Sequence, residues 1–141
     1  MTKQELREKI KEVLYSLPGL LREEKSSSIA SYLFLSDMWQ NANAVFLFLS
    51  FDTEVITDMM VQKALAEDKI IAVPCINKGT MTFHRIMALD DSISLNKYGI
   101  REPCMDLPVV KIEEMKHVLV ITPGLAFDRN KNRLGRGGGY Y

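Results

Sequence analysis

Ala44-Val45-Phe46-Leu47-Phe48-Leu49 is an unbroken apolar run between the polar residues Asn43 and Ser50. It is too short for a typical helix and rich in aromatic side chains, the pattern of a strand buried on both faces. Two other stretches have the same character: Lys69-Ile70-Ile71-Ala72-Val73, ending at Pro74, and His117-Val118-Leu119-Val120-Ile121, ending at Thr122-Pro123-Gly124. After a polar turn at Ser50 to Thr53, residues from about Val55 to Glu67 suit a helix. A strand, helix, strand unit favours parallel pairing through a right-handed crossover. The chain is therefore expected to adopt an α/β fold: an open, mainly parallel sheet flanked by helices in a Rossmann-like, three-layer arrangement.

On the N-terminal side, Thr2-Lys3-Gln4-Glu5 fits a capping box, and Leu6, Ile10, Val13, Leu14 and Leu17 follow at helical spacing until Pro18-Gly19. A second helical pattern runs from about Leu21 to Leu35, and Ser36-Asp37 breaks it before a short segment from Met38 to Asn41. On the C-terminal side, Met81 to Met87 reads as a strand after the Asn77-Lys78-Gly79 turn. Tyr98-Gly99-Ile100-Arg101-Glu102-Pro103 reads as loop, and Ile112 to Lys116 as a short helical turn. No repeat, low-complexity tract or linker divides residues 1–141, which are expected to form a single α/β domain. Ligands of open α/β sheets gather beyond the carboxyl ends of the strands. Three loops are expected there: Ser50 to Thr57, Pro74 to Gly79, and Thr122 onward.

The 141 residues are 47% apolar, enough to bury a core, and eighteen Lys plus Arg balance eighteen Asp plus Glu. A net charge of zero offers no global field for nucleic acid or an anionic membrane, so any anion site must be local. The N-terminus reads as a charged amphipathic helix rather than a signal peptide, and no apolar run approaches the roughly 18 residues of a membrane span. A cytoplasmic location, no membrane and no nucleic-acid partner are the expectations. Cys75 and Cys104 show no metal-ligand spacing and are expected to be ordinary thiols. His84 and His117 are expected to be structural histidines and Phe127 a core residue.

The chemically unusual stretch is Arg133-Leu134-Gly135-Arg136-Gly137-Gly138-Gly139-Tyr140-Tyr141. Between Arg129 and Tyr141 there are four cations and four glycines, with no acid after Asp128. Glycines let backbone N–H groups converge on a phosphate, and arginine forks add charge-assisted hydrogen bonds to the same oxygens. The stretch is neither a Walker A sequence nor a dinucleotide-binding fingerprint. Composition alone leaves three readings open: a phosphate loop, a disordered basic tail, or an arginine-glycine segment that binds RNA with tyrosines for stacking.

Pro123-Gly124-Leu125-Ala126-Phe127-Asp128, followed by a short turn and then Arg133 to Tyr141, resembles the signature of the 5-formyltetrahydrofolate cyclo-ligase family, also called 5,10-methenyltetrahydrofolate synthetases. Lys3-Gln4-Glu5-Leu6-Arg7 is similar to the family's Lys-x-x-Leu-Arg, and Leu49-Ser50 with Glu54 and Thr57 to its substrate-pocket segment. Lys69 to Pro74 and Tyr98-Gly99-Ile100 with Glu102-Pro103 fall in family order. The resemblance implies ATP-dependent closure of 5-formyltetrahydrofolate to 5,10-methenyltetrahydrofolate, with ADP and phosphate released through a phosphorylated formyl intermediate. It implies ATP contacts from Lys3, Arg7 and Arg133 to Tyr141, and folate contacts from Leu49, Glu54 and Arg136 to Tyr140. Arg136 is the expected transition-state cation. Tyr140 either stacks on folate or closes the loop.

The resemblance also implies Mg2+ accompanying ATP as cofactor. The family motif continues with an Asp after the paired tyrosines, and that Asp and a later one resemble the magnesium ligands. The sequence stops at Tyr141, so the C-terminal part of the family fold is expected to be missing and no metal ligand is assigned. Asp128 is expected to be a turn residue. The expected small-molecule partners are ATP and 5-formyltetrahydrofolate, and the expected state is a monomer. The alternative functions are a non-catalytic nucleotide- or folate-binding module and an RNA-binding Arg-Gly tail.

Overall fold

The computed structural model describes residues 1–91 and 93–141. Three helices, α1 (Lys3–Tyr15), α2 (Gly19–Leu35) and α3 (Asp37–Asn41), precede strand β1 (Ala44–Leu47); α4 (Asp58–Ala66) then leads to β2 (Ile70–Asn77) and β3 (Thr80–Ile86). Strands β4 (Ile93–Leu95) and β5 (Arg101–Pro103) form a small hairpin. A 3-10 turn (Ile112–Glu114), β6 (Val118–Ile121) and a second hairpin of β7 (Ala126–Phe127) and β8 (Arg133–Leu134) complete the order.

The main sheet has the order β3-β2-β1-β6, with β1 parallel to both of its neighbours and β3 antiparallel to β2. All four residues of β1 are buried, because the strand has neighbours on both edges and cover on both faces. Val45, Leu47, Ile71 and Val73 share one core with Ala30 of α2, Trp39 of α3 and Met60, Val61 and Ala64 of α4. Ala44, Phe46 and Ala72 face the other way, where Phe83, Val110 and Met115 cover them. Ala72 stands opposite Phe46 in register, and its small side chain leaves room for a ring that packs against Phe83 with centroids 5.1 Å apart.

The open, mostly parallel α/β sheet expected from the apolar runs is present, and so is the capping box: Glu5 N–H donates to the Thr2 hydroxyl at 3.1 Å and Thr2 N–H to the Glu5 carboxylate at 2.8 Å. Several boundaries differ. The first strand ends at Leu47, although Phe48 and Leu49 remain buried. The crossover helix starts at Asp58 rather than near Val55, since residues before Thr57 are tied into a loop. Ile56 N–H donates to the Ser26 hydroxyl (2.9 Å), and the Thr57 hydroxyl donates to the Phe48 carbonyl (2.8 Å).

The second strand does not end at Pro74 but runs to Asn77, so Pro74 to Gly79 is not a loop. Successive N–H groups of a strand point to opposite edges. Ala72 is the last residue of β2 paired with β1. Pro74 and Ile76 therefore share the edge that β1 has vacated, where Ile76 N–H finds the Glu102 carboxylate at 2.9 Å and a missing proline N–H costs nothing. Lys78 (φ 52°) and Gly79 (φ 79°) form the two-residue hairpin turn into β3. Arg101 to Pro103, expected as loop, is strand β5; its partner β4 has no strong apolar signature of its own.

Two single-residue expectations are corrected. Phe127 is 68% exposed on its short hairpin rather than in the core. His117 is exposed at the mouth of β6 with φ 54°, and its contribution there is a backbone carbonyl that accepts from Asn43 N–H at 2.8 Å. His84 is the structural histidine expected. It is buried, with Nδ1 donating to the Leu107 carbonyl and Nε2 accepting from the Thr82 hydroxyl, both at 2.8 Å. Cys75 and Cys104 are free thiols.

Candidate functional site

Strand order reverses beside β1: the chain leaves it to build β2 and β3 on one side and returns to place β6 on the other. Loops that diverge at such a point open a crevice at the carboxyl ends of the strands. A cavity of about 440 Å³ lies there. Its floor is Phe48 and Leu49 after β1, Pro74 and Ile76 from β2, and Pro123 and Gly124 after β6. One wall is the turn and first residues of the β4–β5 hairpin, including Asn96, Ile100, Arg101 and Glu102. The opposite wall is Arg133 with Gly135 to Tyr141.

Glu54 is held in this crevice by the short loop between β1 and α4. Its Oε1 accepts from Phe51 N–H at 2.8 Å, while Oε2 lies 3.8 Å from Nε of Arg136. Burial pushes the Glu54 carboxyl above its ordinary range, and the Phe51 N–H and the Arg136 charge oppose that shift without cancelling it. Its side chain is 16% exposed against 41% for Arg136. Glu54 is thus a fixed acceptor inside the cavity, and Arg136 is a cation on its open side.

The glycine-rich stretch is fastened to the fold at three points. β8 pairs with β7, and Leu125 N–H donates to the Leu134 carbonyl at 2.8 Å. Arg133 donates through Nη1 to the Pro123 carbonyl at 2.8 Å, and Arg7, arriving from α1, donates through Nε to the Gly135 carbonyl at 2.9 Å. Gly137 has φ 107°, a region strained for any residue with a Cβ, and such a Cβ would lie 3.6 Å from the Arg7 guanidinium carbon. Burial, assisted by the Glu54 charge, pushes the Tyr141 phenol up to about 12. Its ring meets Phe83 edge-on at 6.5 Å.

Of the residues singled out in the sequence, Leu49, Glu54, Arg133, Gly135, Arg136, Gly137, Gly138, Gly139, Tyr140 and Tyr141 line one cavity. Arg7 stands behind the glycine wall. Lys3 is exposed one turn earlier on α1, and Leu134 is half-buried in the β7–β8 hairpin; neither lines the cavity. Asp128 is a turn residue, its carboxylate accepting from Asn130 N–H, Asn132 N–H and the Asn132 amide at 2.9, 2.9 and 2.8 Å.

Sequence reasoning missed two elements of the site. Arg101 grips both carboxylate oxygens of Asp58 at 3.0 and 2.7 Å and reaches the Ser50 carbonyl at 3.1 Å. Its guanidinium holds the Asp58 carboxyl below the usual carboxylate range. Tyr15 hydrogen-bonds Asp52, joining the end of α1 to the Glu54 loop. No local pattern marks either contact, because the partners are 43 and 37 residues apart. Glu102, by contrast, stood in a motif already noted, and its carboxylate now caps Ile76 N–H at the cavity edge.

A mostly parallel α/β sheet with a switch-point crevice, two carboxylates lining it and arginines on a glycine wall, defines an α/β protein built around a small-molecule site. The model of the 5-formyltetrahydrofolate cyclo-ligase family matches residues 1–141, and the chain belongs to that family of ligases. It is 30% identical over 143 residues to a Schizosaccharomyces pombe protein named "Probable 5-formyltetrahydrofolate cyclo-ligase", a match that covers 100% of this chain and 70% of that protein. Against the 5-formyltetrahydrofolate cyclo-ligase of Haemophilus influenzae the identity is 28%, covering 99% of this chain and 75% of the relative. The solved structure of Aquifex aeolicus 5,10-methenyltetrahydrofolate synthetase superposes with a TM-score of 0.85 at 26% identity, over 100% of this chain and 70% of that one. No helix among the described residues is long and apolar enough to cross a membrane.

Proposed function

We propose that the protein closes 5-formyltetrahydrofolate to 5,10-methenyltetrahydrofolate at the expense of ATP. The formyl oxygen attacks the γ-phosphate and ADP leaves; N10 then adds to the activated carbon and gives up its proton to solvent, and the C–O bond breaks to release phosphate. Such chemistry requires alignment and charge neutralisation more than a protein nucleophile. In this reading Glu54 accepts from the amino and ring N–H donors of the pterin, with Leu49 against the ring system. Arg7, Arg133 and the backbone of Gly135 to Gly139 take the nucleotide phosphates, with Lys3 at the outer edge. Tyr140 and Tyr141 close the wall where the two substrates meet. Arg136 neutralises charge on the phosphoryl group during transfer.

The observation that carries this reading is the pairing of Glu54 with Arg136 inside one cavity at 3.8 Å. A pterin acceptor and a phosphate cation stand within reach of a single reacting centre. Their mutual contact also satisfies both charges before either ligand enters.

The residues fit a dedicated magnesium centre poorly. Among the described residues no three of His, Cys, Asp or Glu gather in a metal-holding group. The two cavity carboxylates are already engaged, Glu54 with Phe51 N–H and Glu102 with Ile76 N–H. Magnesium would enter with ATP, held by phosphate and water oxygens.

The test is to mix the protein with ATP, magnesium and 5-formyltetrahydrofolate and to follow the absorbance of the methenyl product. Product formation that needs both substrates is the expected result. Binding of both without product would reduce the protein to a nucleotide- and folate-binding module.

A further inference from the structure

The loop that carries Glu54 is closed at its neck by its own residues. Ser50 N–H donates to the Thr57 hydroxyl at 3.1 Å, and Thr57 N–H donates to the Ser50 hydroxyl at 3.3 Å. These bonds shape the loop but do not fix its position against the β4–β5 wall of the cavity. That link comes from strand β5, where Arg101 spans the neck. One guanidinium nitrogen donates to the Ser50 carbonyl (3.1 Å) and to Asp58 Oδ1 (2.7 Å), and another donates to Asp58 Oδ2 (3.0 Å). The same hairpin supports the loop tip, since a Cβ at Gly99 would lie 3.6 Å from the ring of Phe51, the residue whose N–H holds Glu54 Oε1.

We propose that Arg101 is a positioning residue for the folate side of the site: it anchors the 50–58 loop so that Glu54 Oε2 points into the cavity. The inference rests on the proposed role of Glu54 as the pterin acceptor. A planar fork that bonds two points eight residues apart fixes both distance and angle. A lysine ammonium, whose three donors radiate from one nitrogen, cannot hold both oxygens and the Ser50 carbonyl in that plane. Among the described residues Arg101 makes no hydrogen bond or ion pair to the glycine wall, so the nucleotide side should be indifferent to it.

Turnover kinetics of the full chain with Arg101→Gln, Arg101→Lys, Asp58→Asn and the Arg101→Gln/Asp58→Asn double variant test this. Wild-type turnover is the control that separates failure of this inference from failure of the cyclo-ligase reading. The expected result is a rise of about tenfold in KM for the formyl folate with Arg101→Gln, as a misplaced binding group produces. A smaller rise is expected with Arg101→Lys, and KM for ATP should stay within about twofold throughout. The double variant should be no worse than Arg101→Gln alone, because both changes break one contact. Should Arg101→Gln fail to fold, Arg101→Lys and Asp58→Asn give the same readout. Folded variants with unchanged KM for folate, or with both KM values raised equally, would overturn the proposal.

Discussion

Two regions of this molecule are held by opposite means. Residues 44–47 are buried on every side, and parallel neighbours, helices and apolar contacts fix them, with no side-chain hydrogen bond to them among the described residues. Residues 135–141 are largely exposed and have positive φ at Gly137 and Gly139. Their attachment depends on arginine-to-carbonyl hydrogen bonds and one short strand pair. The first region can change composition only at the cost of the fold. The second holds a conformation that packing does not enforce and can spend its backbone and side-chain donors on a ligand. Stability and ligand chemistry should therefore separate on mutation.

The largest expected effect is in the core that packs against the first region. Trp39, fully buried in the same core and packed on Phe34 at 4.8 Å, lies before β1 and away from the crevice. Trp39→Ala should lower unfolding free energy by about 3–5 kcal/mol in denaturant titration, with KM values of the remaining folded protein unchanged. Altered KM at full occupancy of the native state would show that the two regions are coupled.

Arg136→Ala attacks the other side of the contrast. We expect a fall in kcat of about a hundredfold with little change in thermal stability, since the side chain is 41% exposed and its one described ion pair is long. Equal losses of stability and turnover would remove Arg136 from the transition state.

Thr2→Ala sharpens the boundary between the regions. It removes the hydroxyl of the capping box on α1 and should cost about 1 kcal/mol. Because α1 buries no residue fully and carries Arg7 to Gly135, part of the loss should appear as weaker nucleotide binding in calorimetry. Unchanged affinity would mean that Arg7 is placed without help from the first turn.

The smallest effect is a pH dependence. Desolvation raises the Glu54 carboxyl, so its charged form is lost earlier as pH falls than in an exposed glutamate. Folate affinity should therefore decline on the acid side with a midpoint above the ordinary glutamate value of 4.5. A midpoint at or below that value would show that the cavity does not desolvate this group.

Apolar runs around Phe46 and Ile71 were legible as strands because a strand covered on both faces has little room for polar side chains; the run around Leu119, expected to be equally buried, is instead an end strand of the sheet with no buried residue and Val120 38% exposed. The capping box was legible because its partners are three residues apart. The end of β2 was not, since tolerance of Pro74 depends on which edge of the strand has lost its neighbour. β5 was hidden in the same way: Arg101 to Pro103 form a strand because β4 lies alongside. Phe127 was misplaced because an aromatic in a two-residue strand has no second layer to enter.

By itself the sequence determined the sheet and its parallel sense, and its resemblance to a family named the acid and the cations expected at a ligand site. The first resides in local periodicity, the second in the family-like segments that carry Lys3 and Arg7, Leu49 and Glu54, and Arg133 to Tyr141. Only the tertiary structure decided that Glu54 faces Arg136, that Arg7 braces Gly135 and that Arg101 locks the acidic loop. Each of those contacts joins residues dozens of positions apart, and a hydrogen bond or ion pair depends on distances of a few ångströms that only the folded chain sets.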